Sequence, residues 1–231
     1  MTASRQQELA ERLAALEQRI AQACTAAGRP RDEVALVAVT KFHPASDVAV
    51  LRDLGVTRFG ESRDHEAREK AGQVDGVRWH FVGRLQSNKA ASVAAYASVV
   101  ESCDRAKLVP AMSAGAVRAE RVVHVLVQVS LDGDPSRGGA PEADVPALAA
   151  AVADAEGLRL TGVMAVAPLD EEPARAFGRL AELAERLRED HPDARALSAG
   201  MSADLEQAVS CGSTSVRVGT ALLGPRPPAL R

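Results

Sequence analysis

The sequence predicts an α/β fold, a single (β/α)8 barrel domain running through residues 1–231. Three observations predict it. Eight short β-rich runs alternate with helical stretches, the signature of a parallel sheet. The length, 231 residues, falls in the range of roughly 200–250 in which such barrels form one domain. No GxGxxG follows the first run, which counts against the alternative, a doubly wound open sheet binding a dinucleotide.

The elements follow in order. Leu9, Leu13, Leu16 and Ile20 recur at helical spacing, predicting an N-terminal helix over 2–27 that Gly28-Arg29-Pro30 stops. Val34–Thr40 is almost continuously apolar, as a strand buried on both faces must be. A helix follows Ser46. The later strands are expected at Thr57–Phe59, Arg78–Val82, Ser98–Glu101, His124–Val129, Leu160–Val166, Arg195–Leu197 and Ser215–Val218. Between them the pattern predicts helices over Asp64–Ala71, Asn88–Ala94, Arg105–Ala119, Ala143–Ala155, Pro173–Glu189 and Ala203–Ser210. Asp132–Pro141, with three Gly and two Pro, reads as a mobile βα-loop, and Pro225–Arg231 as a frayed tail.

Composition narrows the function classes. Apolar residues make up 46% but aromatics only 3%, so Ala, Val and Leu must fill the core. The net charge is −3 and there is no Lys/Arg run, which argues against a phosphate-neutralising nucleic-acid surface. No apolar run approaches the roughly 20 residues of a membrane span. The charged, amphipathic N-terminus lacks a signal-peptide core, so a cytoplasmic protein is expected. Cys24, Cys103 and Cys211 are far apart and form no CxxC pair. They read as reduced thiols, with neither a disulfide framework nor a metal site.

Barrel chemistry sits where strands end. The first strand delivers Lys41 directly after an apolar run. Partial desolvation there lowers the pKa of an amine and frees it to attack carbonyls. The second delivers Gly60-Glu61-Ser62, the third the polar loop Gly83–Lys89, and the fourth Ser102-Cys103-Asp104, in which Asp104 reads as a helix cap. His80, within the third strand, reads as a satisfied core histidine. The seventh and eighth strands lead into Ser198–Asp204 and Gly219-Thr220, which combine small residues with hydroxyls. Loops of this kind after strands seven and eight often bind phosphate. Alternation turns Val216 and Val218 toward the helices and Arg217 into the barrel, where its guanidinium requires a carboxylate or a ligand acceptor.

Along nearly its whole length the chain resembles the pyridoxal-phosphate homeostasis proteins, whose fold is that of the alanine racemase N-terminal domain. The matching segments are Val37-Ala38-Val39-Thr40-Lys41, Phe59-Gly60-Glu61, Trp79–Lys89, Gly200–Asp204 and Val216–Thr220. The resemblance implies that Lys41 holds pyridoxal 5′-phosphate (PLP) as an internal aldimine, and that Ser202, Gly219 and Thr220 cradle the phosphate. It also implies that Arg217 faces the pyridine nitrogen, disfavours its protonation and makes the cofactor a weaker electron sink. Ser62 stands where the family has Asn, with a hydroxyl of shorter reach, and is a further candidate contact. Arg137 stands where a Lys is usual. The implied function is PLP homeostasis without robust catalysis, by a monomer that releases the cofactor to recipient enzymes or amino acids. The alternatives are a low-activity amino-acid racemase and a Schiff-base aldolase acting on a phosphorylated substrate. Full racemases carry a Tyr base on a further β-rich domain, and none is expected after the eighth strand here. Of the local substitutes, Tyr96 is expected at the wrong end of the barrel, and Cys103 reads chiefly as a packing residue.

Overall fold

The computed structural model describes residues 3–134 and 136–225; the tail over 226–231 lies outside the described residues. Eight parallel strands close into a barrel in sequence order. They are β1 Ala35–Val39, β2 Arg58–Glu61, β3 Arg78–Phe81, β4 Val99–Cys103, β5 Val123–Gln128, β6 Leu158–Met164, β7 Ala196–Ser198 and β8 Ser215–Val218. β1 closes the ring against β8, with Val37 beside Arg217. Around it run α1 Ala3–Ala26, α2 Ala45–Asp53, α3 Asp64–Ala71, α4 Ala90–Tyr96, α5 Val109–Arg118, α6 Val145–Ala153, α7 Pro173–Asp190, α8 Leu205–Ser210 and α9 Thr220–Leu223.

Alternation divides each strand between two environments. Leu36, Ala38, Phe59, Trp79, Val216 and Val218 face outward and pack with α1 residues Leu9, Leu13, Leu16 and Ile20. Each fully buried side chain of this kind contributes roughly 1.5–3 kcal/mol. α7 shows why its sequence is helical. Pro173 opens it, Glu172 caps the Arg175 N–H at 3.2 Å, and Ala176, Phe177, Leu180, Leu183, Ala184 and Leu187 form one buried stripe.

Several boundaries differ from the sequence expectation. β2 continues to Glu61 because Gly60 and Glu61 pair with His80 and Phe81 of β3, and this pairing overrides their poor strand propensity. β4 continues to Cys103. α5 begins at Val109 after a 3-10 turn over Ala106–Leu108. Asp104 does not cap it, because its carboxylate pairs with the adjacent Arg105 guanidinium. The four-residue α9 was unexpected. In the loop after β5 the Ser130 N–H donates to the Ala140 carbonyl at 2.9 Å, the Ala140 N–H donates to the Gln128 carbonyl at 2.7 Å, and Arg137 pairs with Asp132 at 3.1 Å.

Candidate functional site

Lys41 follows β1 in a tight turn, closed by the His43 N–H on the Thr40 carbonyl at 3.0 Å. Phe42 adopts φ 70°, left-handed backbone that costs a bulky residue of order 1–3 kcal/mol and persists only where its surroundings enforce it. They do so through a buried charge cluster. The Phe42 N–H donates to Glu66 Oε1 at 2.6 Å, and the Thr40 hydroxyl donates to Glu61 Oε1 at 2.7 Å. Lys70 Nζ binds the Thr40 carbonyl at 2.8 Å, Glu61 at 2.6 Å and Glu66 at 2.7 Å. Burial raises the Glu61 carboxyl above its ordinary value, with Lys70 and Thr40 pulling the other way. The Arg63 guanidinium stacks over the Phe42 ring, 4.5 Å from its centroid.

The loops after β7 and β8 are held together and held from outside. The Ser202 hydroxyl accepts the Ala221 N–H at 3.4 Å. From α1, Arg19 donates to the Ser202 carbonyl at 2.8 Å and grips Glu206 at 2.5 Å, while Arg5 donates to the Leu223 carbonyl at 3.1 Å. Gly219 sits close to β1, where an added Cβ would lie a tight 3.1 Å from the Val39 carbonyl oxygen.

Arg217 points into the barrel and is only 5% exposed. It donates to Ser198 Oγ at 2.5 Å and to the Ala165 carbonyl at 2.8 Å, and lies 3.7 Å from Glu101 Oε2. Burial lowers its pKa, against the pull of Glu101 and Asp204. Glu101 is the partner the arginine required. Its other oxygen binds His80 Nδ1 at 2.6 Å, and Ser198 donates to Oε2 at 2.6 Å. Burial opposes its charge, but His80, Arg217 and Ser198 together hold the carboxyl below its ordinary value.

Lys41, Ser202, Arg217, Gly219 and Thr220 line one cavity of about 420 Å³ at the C-terminal mouth of the barrel, within the roughly 300–1,000 Å³ of small-molecule sites. Arg84 and Arg137 add two further cations to its wall. Ser62 does not share this cavity. It lines a neighbouring one with Arg63, Asp64 and Lys89, and Arg84 is common to both. Gly83 is packed so tightly on Ser62 that an added Cβ would sit 2.3 Å from the Ser62 carbonyl oxygen, which fixes that backbone.

Residues 12–227 match the alanine racemase, N-terminal domain family. The chain is 47% identical to the pyridoxal phosphate homeostasis protein of Mycobacterium tuberculosis, covering 96% of this chain and 94% of that one. It is 36% identical to the protein of the same name from Escherichia coli K12, covering 95% and 97%. The chain belongs to the pyridoxal phosphate homeostasis protein family. Among solved structures, PipY of Synechococcus elongatus PCC7942 with PLP bound superposes with a TM-score of 0.82 at 31% identity, covering 94% of this chain and 100% of that one. Alanine racemase from Corynebacterium glutamicum shares the fold, with a TM-score of 0.68 at 16% identity over 94% of this chain and 60% of its own.

Within this family frame, neither substitute base reaches the cavity. Cys103 packs outward against α4 and α5 in the core, and burial pushes its thiol up to about 12. Tyr96 closes α4 near the strand starts, as expected. Its buried hydroxyl feels Asp64 on the opposite, C-terminal face, and burial raises its pKa. The sequence reading missed Lys70, Glu66, Glu101 and Arg19. Glu101 had a signal: it is a charged residue two places after Val99, and so on the inward parity that Arg217 also occupies. Glu66 and Lys70 stand four apart on α3, a spacing that fits a surface pair equally well.

Proposed function

We propose that this chain binds PLP at the C-terminal mouth of its barrel and serves intracellular PLP homeostasis. Lys41 is the residue for the aldehyde; Ser202, Gly219 and Thr220 hold the phosphate; Arg217 faces the ring nitrogen. The observation that carries the reading is that all five residues, from the ends of β1, β7 and β8, line one cavity of about 420 Å³. The fit is chemical as well as spatial. The Ser202 hydroxyl and the bare backbone at Gly219 suit a phosphate, and the cationic wall of Lys41, Arg84 and Arg137 suits its charge.

When bound, PLP supplies an aldehyde that condenses with amines on an electron-withdrawing ring. The chain's own residues do the rest. Glu61, Glu66 and Lys70 fix the turn that aims Lys41. Glu101 and Ser198 hold the Arg217 guanidinium, which keeps a second positive charge off the ring nitrogen and limits carbanion stabilisation. That suits storage and release better than catalysis. The partners this reading implies are PLP itself, amino acids and recipient PLP-dependent enzymes, with the chain working as a cytoplasmic monomer. Among the described residues no helix is long and apolar enough to cross a membrane.

Borohydride reduction of the PLP-loaded protein followed by peptide mapping tests the reading. The label is expected on Lys41. Recovery mainly on Lys89 or Lys107 would overturn it.

A further inference from the structure

The opposite mouth of the barrel, where the strands begin, holds a second cavity of about 300 Å³. Arg58, Arg78, His80 and His124 line it, together with Asp32 and Glu33. We infer that this mouth binds a small oxyanion of the phosphate class, clamped between the Arg58 and Arg78 guanidinium groups beside His80.

The two arginines are direct neighbours on adjacent strands, Arg58 of β2 opposite Arg78 of β3. Like charges set side by side in a sheet destabilise it. Among the described residues neither guanidinium has an ion pair or a hydrogen bond; Arg58 is half-buried and Arg78 is exposed at the rim. The nearby carboxylates do not neutralise them: Glu33 pairs with Arg29 at 3.2 Å, and Asp32 pairs with neither arginine. The positive field is felt by the groups around it. Burial and the neighbouring Arg78 hold Arg58 below its ordinary value. Burial followed by Arg78, Arg159 and His80 does the same to His124.

His80 supplies the observation that points to a ligand. It is 8% exposed and lines the cavity, and its Nδ1 is taken by Glu101. Its Nε2 is buried without a partner. A buried polar atom left unpaired costs roughly 1–3 kcal/mol; with Nδ1–H given to the Glu101 carboxylate, Nε2 is an acceptor, and the P–OH of a phosphate held by the arginines is the donor it lacks. The half-buried Arg58 guanidinium and the orphan imidazole nitrogen of His80 line one cavity, and the packing gives neither a partner. A bound phosphate accounts for both, with the exposed Arg78 closing the clamp from the rim.

The test is titration of the full chain with inorganic phosphate, followed by the imidazole NMR signals of His80 and His124. Sodium chloride at matched ionic strength is the control. The expected result is a saturable shift of both signals with phosphate and not with chloride. Arg58→Gln should weaken it at least tenfold. That variant should also melt higher than wild type in phosphate-free buffer, since a repelled charge is gone, which shows that it folds. Ser202→Ala, which disables the phosphate-holding loop at the other mouth, should leave the His80 and His124 shifts in place, so this inference can stand or fall apart from the PLP reading. Shifts confined to His43 near the C-terminal mouth, equal shifts with chloride, or undiminished shifts in Arg58→Gln would each overturn it.

Discussion

Replacing Lys70 by Met removes the cation from the cluster behind Lys41 while keeping its bulk. Lys70 and Glu61 are 4% and 1% exposed, so the change leaves a carboxylate buried with only the Thr40 hydroxyl on it. Breaking a buried pair by deleting one partner costs about 3–5 kcal/mol. For a chain of this size that corresponds to a fall in Tm of roughly 6–20 °C. The cost should come from the stranded charge, so Lys70→Met/Glu61→Gln should recover most of it, since the amide still accepts from Thr40. Lowering the pH should shrink the deficit of the single variant, because its unpaired Glu61 takes up a proton more readily. Urea unfolding at neutral and acid pH, with the m-value checked for constancy, measures all three effects. A loss below about 1 kcal/mol, or a double variant no better than the single, would refute the view that this cluster enforces the Lys41 turn.

Other expected outcomes are equally direct. Ser202→Ala should weaken PLP binding by about 1.5–3 kcal/mol, the range for bonds to charged groups, and leave unphosphorylated pyridoxal unaffected; equal losses measured by fluorescence titration would assign the hydroxyl another role. Because the Glu101 carboxyl is held below its ordinary 4.5, its contribution to stability is complete above that value and is lost as pH falls through the lower folded value. Wild type should therefore lose stability below about pH 4.5 more steeply than Glu101→Gln in urea titrations. PLP-loaded protein incubated with L-alanine in deuterated water should form little D-alanine, since two opposed bases are needed and Cys103 faces away from the cavity. Efficient D-alanine formation abolished by Cys103→Ala would make the protein a racemase.

The barrel was legible because its cause is local and repeated: eight apolar runs at a regular spacing leave few other ways to bury them. The site was legible in part for the same reason. Lys41 and the loops around Ser202 and Gly219 stand where strands end, a position that the alternation of strands and helices fixes. Arg217 was placed inside by parity alone, and its need for a partner followed from the cost of a bare guanidinium. What escaped the sequence was pairing across the ring. Glu101 meets His80 and Arg217 only once the barrel closes, and Arg19 reaches the Ser202 loop across 183 residues of chain. Lys70 was not singled out, because nothing in an isolated α3 marks which face is covered. Ser62 was a candidate contact because it stands where the resembling family has Asn. The packing of Gly83 against it places it in the adjoining cavity instead.

Glu101 has two oxygens, and they look toward opposite ends of the molecule. One is tied to His80 at the mouth where strands begin, the other to Ser198 and Arg217 at the mouth where they end. His80 and Arg217 both pull on this one carboxylate, so the two ends meet electrostatically at Glu101. A charge added or removed beside His80 would act first on Glu101, and through it on Arg217 in the wall of the cavity that Lys41 lines. Linkage would make any such effect mutual, with each end biasing the affinity of the other by the same factor. In a fold whose two faces usually divide into chemistry above and stability below, this chain sets one carboxylate between them.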